Sequence, residues 1–416
     1  MTHLNYHHNH LRIENCAVSD IVESIGTPVF IYSHTGLVQN WQKFHSAFGN
    51  HPHKICYSVK ANSNLAVLHA LAELGSGFDI VSSGELARVI KAGGSPNQVV
   101  FSGVGKQPEE MAFALKNNIF CFNVESEAEL FTLNEIAQHL NLVAPIALRV
   151  NPDINANSHP YISTGLKESK FGIDIKKAPA LYQQAATLPH LKIKGIACHI
   201  GSQITTLSPL QESFAHLLQL YNVLKAHQIS ISHIDVGGGL GVRYQDETPP
   251  LPADYVTSLL NLCTDPDLML VIEPGRAIVA NIGILVTKIV ALKTAGDKHF
   301  CVVDCAMNDF IRPALYSAWH DIIPTNKTQP DSPQIYDIVG PICESSDFLG
   351  KNRALSINPG EFLAICDVGA YGFVISSNYN SRPRAAEVMV KEDCFKIVRE
   401  RETIAQLFEH EKIGLF

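Results

Sequence analysis

Eight short β-prone runs, each followed by an amphipathic stretch, do most to narrow what this chain can become. They are Ile55–Val59, Phe78–Val81, Val99–Ser102, Phe120–Val124, Ile146–Val150, Ile193–His199, His233–Val236 and Met269–Glu273. Between them lie segments of helical period such as Gly84–Ala92, Pro108–Asn117, Glu127–Leu140 and Leu210–Ala226. Glu109, Glu110, Glu127 and Glu129 fall in first turns, where the helix dipole favours negative charge. Repeated strand-then-helix units over roughly 230 residues have the period of a (β/α)8 barrel. An open doubly wound sheet is the rival topology that the same alternation permits.

From about Gly283 the pattern changes. Ile284–Leu292, Phe300–Val303, Gln334–Val339, Glu361–Ile365, Glu387–Val390 and Phe395–Arg399 read as strands, with short helices predicted at Ala314–Ile322 and Thr403–Glu409. The expected organisation is therefore α/β plus β. Residues 1–30 pack with a C-terminal β domain, 31–282 form the barrel, and 283–416 form the mostly β domain. With Lys+Arg 32 against Asp+Glu 40, the chain carries a net charge of −8, which argues against a general nucleic-acid or anionic-membrane binder. No apolar h-region opens the chain and no uncharged apolar run is long enough to span a bilayer. The ten cysteines form no C-x-x-C pair, which suits a reducing, cytoplasmic setting. His3, His7, His8 and His10 read as part of a solvated tail rather than a metal site, so no metal is expected.

In a β/α barrel the reactive residues gather where strands meet the following loops. Those positions hold Lys60, Asp79, Ser102, Asn123, Arg149, His199, Gly237 and Glu273. Lys60, in Tyr57–Asn62, ends a buried run, a poor place for a solvated ammonium and a good one for an amine that attacks a carbonyl. The plainer alternative is a lysine snorkelling to solvent. Gly237, Gly238, Gly239 and Gly241 follow the seventh run, where such barrels cradle phosphate, and Ser202 could add a hydroxyl donor. Glu273-Pro274-Gly275-Arg276 closes the eighth. Its carboxylate either pairs with Arg276 or Arg149, or holds a proton on a heterocyclic nitrogen. In the second role a charge pair at about 4 Å is worth roughly 4 kcal/mol, or about three pKa units. A strand-end lysine, a phosphate cradle, a flat His199 and that carboxylate fit pyridoxal 5'-phosphate together, with Lys60 forming the Schiff base. A carboxylate at the ring nitrogen keeps the electron sink deep and points to amino-acid decarboxylation. Arg149 to Ile175 interrupts the barrel rhythm, as functional insertions do. In the β domain, Cys343 is either an inert buried thiol or a proton donor, and Arg312 and Tyr316 lie one helical turn apart, suited to a carboxylate.

With these residues the sequence resembles the diaminopimelate decarboxylases, fold-type III pyridoxal-phosphate enzymes similar to ornithine and arginine decarboxylases and alanine racemase. Tyr57–Asn62, His159–Gly172, His199–Gln203, Gly237–Gly241, Glu273–Arg276, Met307–Tyr316, Gly340–Glu344 and Tyr371–Pro383 carry the resemblance, in that order, from about Gly26 to Met389. It implies that Lys60 bonds the cofactor, His199 stacks on it and Glu273 meets its ring nitrogen. Ser202, Gly238, Gly239, Pro274, Gly275, Arg276 and Tyr371 would complete the cofactor site. Arg276, Arg312, Tyr316, Glu344 and Tyr371 would contact substrate, with Cys343 donating a proton from the other subunit of a homodimer with composite sites. Glu344 suits a second amino-acid head group, as in meso-2,6-diaminopimelate, giving L-lysine and CO2 as the last step of lysine biosynthesis. Cys305 departs from the small residue usual before Met-Asn-Asp. The rivals are a decarboxylase of arginine, ornithine or carboxynorspermidine, and a non-catalytic homologue that binds a partner protein. The second would be expected to lack Lys60, Cys343 or Glu273, and all three are present.

Overall fold

The computed structural model describes residues 3–155, 165, 169–327 and 332–414. Part of the His159–Gly172 motif therefore lies outside the described residues. The chain divides into two units. One spans 38–243 and 247–277; the other spans 1–37, 244–246 and 278–416.

The first unit is built on eight parallel strands: β1 His53–Ser58, β2 Gly77–Ile80, β3 Val99–Phe101, β4 Cys121–Val124, β5 Ala144–Asn151, β6 Leu191–Ala197, β7 His233–Asp235 and β8 Met269–Ile272. Each pairs with the next, and β8 pairs back onto β1 through Leu270, Val271 and Ile272 against His53, Lys54 and Ile55. The sheet is a closed barrel, so the open-sheet alternative does not apply. Closure leaves no strand edge in need of a partner. Side chains alternate across the barrel wall. Cys56, Val100 and Val271 cluster with Phe120 and Met269, and Cys121, Ala147 and Ala197 with Phe120. Two positions further along each strand the side chains turn polar. The helices between strands start on predictable caps: Ser82 Oγ accepts from the Glu85 N–H and Ser126 Oγ from the Glu129 N–H.

The second unit contains a nine-stranded sheet. Its seven-strand path runs Phe348–Leu355, Gln334–Val339, Lys298–Val303, Gly283–Ala295, Val29–Ser33, Ala386–Lys391 and Cys394–Arg399. Val29–Ser33 is antiparallel to Gly283–Ala295 and parallel to Ala386–Lys391. Several elements differ from expectation: the helix expected over Thr403–Glu409 is a single 3-10 turn, Ala405–Leu407, and Phe348–Leu355 is an unexpected strand. The helix predicted over Ala314–Ile322 is confined to Arg312–Tyr316, ended by left-handed Ser317, and Ile322–Pro324 is a strand beside Phe362–Ile365. The histidine-rich start is not a solvated tail. Leu4–His7, His10–Ile13 and Cys16–Ala17 make a small antiparallel sheet whose His8-Asn9 turn has both residues at positive φ. Leu11 and Ile13 bury against Val29, Ile31, Val286 and Val388, and Glu14 accepts from Ser33, Thr35 and the Glu392 N–H. Hydrophobic alternation over four residues is too short a signal to have shown this.

Among the described residues no helix is long and apolar enough to cross a membrane, and no cluster of His, Cys, Asp or Glu is placed to hold a metal ion.

Candidate active site

The polar side chains at the strand ends of the barrel meet over its mouth. After β1 the chain tightens into a 3-10 turn, Val59–Ala61, which carries Lys60. Lys60 Nζ lies 2.6 Å from Oδ2 of Asp79, which is itself fully buried. Ser58 Oγ lies 2.9 Å from the same carboxylate and 3.0 Å from the Glu273 carbonyl, with one proton to give between them. The Ser58 N–H donates to the Pro274 carbonyl, and a side chain at Gly275 would meet Ser58 at 2.9 Å. The Glu273-Pro274-Gly275 segment is thus fastened against the Lys60 turn.

Glu273 points among Ser102, Asn123 and Asp235. Its Oε1 lies 3.4 Å from Ser102 Oγ and 3.5 Å from Asn123 Nδ2, which also lies 3.2 Å from Asp235 Oδ2. Arg149, the alternative partner, is taken by Glu125 at 2.7 Å. Burial first, then the negative charge of Asp235 and Asp79, holds the Glu273 carboxyl well above the ordinary range, with Lys60 opposing. Asp235, hydrogen-bonded to Glu273, is pushed up to about 6, chiefly by burial. Both carboxyl groups are thus biased towards their protonated forms. Three carboxyl groups converge with one nearby ammonium, an arrangement that suits the arrival of a cation.

The glycine loop after β7 is closed by backbone. A Cβ at Gly238 would sit 2.1 Å from the Glu273 carbonyl oxygen, and at Gly239, whose φ is +105°, 2.5 Å from that of Gly201. The Gly237 N–H donates to Asp235 Oδ1, that of Gly238 to His199 Nδ1, and that of Gly241 to the Ile204 carbonyl. Gly239, at positive φ and pressed against the Gly201 carbonyl, lies between these tied amides, in a loop suited to meet an anion. Because His199 Nδ1 accepts, its proton sits on Nε2. Withdrawal from water, with Arg149 and Lys60 nearby, keeps its imidazole pKa well below the usual value and the ring neutral. Arg276 donates through Nη2 to Ser202 Oγ at 3.0 Å.

In the second unit, Arg312 is buried, its guanidinium 5.2 Å from the Tyr244 ring and 5.8 Å from that of Tyr316. Cys343 is exposed, not an inert buried thiol, and its Sγ lies 3.7 Å from Asn380 Oδ1. Glu344 accepts from the Tyr379 hydroxyl. Tyr371 sits at φ 54°, a left-handed conformation that costs a tyrosine strain and aims its side chain.

Several polar residues escaped the sequence reading. Asp235 lies two residues before Gly237 and alternates with His233, so strand period alone would have placed it inside the barrel. Glu85, at the start of helix Ser83–Lys91, is pushed up to about 7 by burial, with Asp79 adding to the rise and Lys60 and the Val81 N–H opposing it. Tyr244, His320 and Asn380 carry no local signal, because side chains distant in sequence define their environments.

The chain is similar to known proteins. The pyridoxal binding domain of the pyridoxal-dependent decarboxylases matches residues 35–280. A diaminopimelate decarboxylase of Vibrio cholerae is 53% identical over 99% of both chains. The crystal structure of diaminopimelate decarboxylase from Helicobacter pylori complexed with L-lysine superposes with a TM-score of 0.91 at 42% identity, covering 94% of this chain and 98% of that one. The corresponding protein of M. jannaschii, in co-complex with L-lysine, gives 0.93 at 34% identity over 99% and 98% of the two chains.

Proposed function

The chain belongs to the diaminopimelate decarboxylases, within the pyridoxal-dependent decarboxylases, and from that membership we propose that it converts meso-2,6-diaminopimelate to L-lysine and CO2 using pyridoxal 5'-phosphate. The observation that carries this reading is Lys60 held 2.6 Å from buried Asp79 in the same barrel mouth as Glu273 and the Gly237–Gly239 loop. These groups fit the cofactor. Lys60 offers an amine for its aldehyde, and the glycine loop offers backbone amides for its phosphate. Asp79 Oδ1 and Asn123 Oδ1 are buried acceptors with no hydrogen-bond partner among the described residues. Bound there, pyridoxal phosphate supplies an electron sink for the pair left by a departing carboxylate.

The chain's own groups do the rest. Asp79 holds the Lys60 ammonium in place. Glu273, hydrogen-bonded to Asp235, would keep positive charge on a ring nitrogen. His199, neutral and fixed by Gly238, presents a flat face, while Ser202 and Arg276 flank the loop. Pro274 and Gly275 hold the Glu273 backbone against the Lys60 turn. Arg276, Arg312, Tyr316, Glu344 and Tyr371 bind the amino acid, and Cys343 returns a proton in place of CO2. We assign Cys343 to the partner subunit's site in a homodimer. Ten free cysteines suit a reducing compartment, and we place the protein in the cytoplasm.

Incubating the purified protein with pyridoxal phosphate and meso-diaminopimelate should release lysine and CO2. Consumption of arginine, ornithine or carboxynorspermidine with no lysine formed would refute the substrate assignment. Mixing inactive Lys60→Ala and Cys343→Ala variants should restore activity; mixtures as inactive as their components would refute the composite site.

A further inference from the structure

We infer, on the reading of Arg312 as a carboxylate-binding residue, that His320 is a positioning residue for substrate binding: it fixes the plane in which the Arg312 guanidinium meets the amino acid. Arg312 Nε donates to His320 Nε2 at 3.2 Å, and His320 Nδ1 lies 2.8 Å from the Cys366 carbonyl. Since Nε2 accepts, Nδ1 carries the proton and donates to that carbonyl. Both ring nitrogens are thereby committed and the tautomer follows from the partners.

The ring has no room to turn. His320 is fully buried, with the Phe310 and Tyr244 rings edge-on at 4.7 and 4.9 Å. Its own carbonyl accepts from Arg353 Nη2 at 2.9 Å. The Cys366 N–H donates to the Asp321 carbonyl at 2.8 Å, and Ile322–Pro324 pairs with Phe362–Ile365. The histidine and its acceptor are thus held by one ladder. Anchoring Nε sets the orientation of the Nη1–Nη2 fork, the edge that matches a carboxylate bidentately.

The choice of an imidazole has a reason. A carboxylate in this place would orient the guanidinium equally well but would neutralise it, competing with the substrate's own carboxylate. A neutral acceptor directs the fork and leaves the positive charge intact. A protonated imidazole, with N–H on both nitrogens, could not accept from Arg312 at all.

The test is steady-state kinetics of the holoenzyme with meso-diaminopimelate, in native and Arg312→Lys backgrounds. His320→Leu should raise KM about 10-fold with kcat within about twofold, as for loss of one charge-assisted hydrogen bond. His320→Gln, whose Oε1 can accept from Arg312, should keep KM within about threefold. In the Arg312→Lys background His320→Leu should add nothing further, because the two changes remove one interaction. Should His320→Leu fail to fold, His320→Asn, too short to reach Arg312 Nε, takes its place with the same expected KM. Equal KM increases in both backgrounds, a fall in kcat at unchanged KM, or a Gln variant as impaired as Leu would overturn the proposal. An unchanged KM in Arg312→Lys alone would instead refute the reading of Arg312, which separates the two failures.

Discussion

The barrel mouth and the β-rich unit place their polar groups by different means. In the barrel, Lys60, Asp79, Ser102, Asn123, His199 and Glu273 follow or end parallel strands whose backbone is fixed by closure. Once the barrel forms, their convergence follows from the fold. In the β-rich unit, Arg312, Cys343, Glu344 and Tyr371 sit on a five-residue helix or on turns. Their orientation depends on neighbours from distant sequence: Tyr244 and His320 for Arg312, Tyr379 for Glu344, Asn380 for Cys343. A scaffold that positions through backbone tolerates change around the site. One that positions through side chains makes each supporting residue a point of failure.

The sharpest way to break this contrast is at its chemical centre. Lys60→Ala should lower kcat by at least ~10³-fold, since it removes the attacking amine, and borohydride should no longer fix the cofactor to the chain. Glu273→Gln should lower kcat by about 10²-fold to 10³-fold, the loss of a charge pair worth roughly 4 kcal/mol, and should alter the absorbance of the bound cofactor. A Gln variant of native rate would remove Glu273 from the chemistry.

At the barrel floor, His233 has burial first, and then Lys194 and Lys54, lowering its pKa to about 3, and neither ring nitrogen has a hydrogen-bond partner among the described residues. The unfolded chain protonates this group near pH 6.5, and the folded one not until about 3. Stability is therefore present above the unfolded value and is lost as pH falls from 6.5 towards 3. Between pH 7 and 5 the cost is about 2 kcal/mol. Thermal unfolding of His233→Gln should show that much less acid sensitivity; an unchanged pH profile would contradict it. The smallest effect is expected for Glu14→Gln, which weakens the acceptors that bind the N-terminal sheet to Ser33, Thr35 and Glu392. A loss of about 1 kcal/mol, read by denaturant unfolding with activity preserved, is the expected outcome.

The contrast also explains what was legible in the sequence. Period-two runs bounded by helices announce a barrel, and the residue at each run's end is then a site residue by position. Lys60 and Glu273 were found that way, as was the loop at Gly237. Asp235 is not legible in this way, because it sits one residue inside the end of the run His233–Val236, although it closes the strand His233–Asp235. The β-rich unit yielded most of its strands but not Phe348–Leu355, whose Gly350-Lys351-Asn352-Arg353 centre is poor in β-formers, nor Ile322–Pro324, which pairs with Phe362–Ile365 about forty residues on. Arg312 and Tyr316 were found by their helical spacing. His320 was not, because its hydrogen bond to Arg312 exists only after the chain has folded back.

The strand Val29–Ser33 occupies the middle of its sheet, flanked by segments that begin at Gly283 and Ala386. During synthesis it leaves the ribosome long before either neighbour exists. The eight barrel strands, all complete by Ile272, can close while this apolar ribbon still waits for its flanks. Its pairing must therefore be made last, across the whole length of the barrel translated after it.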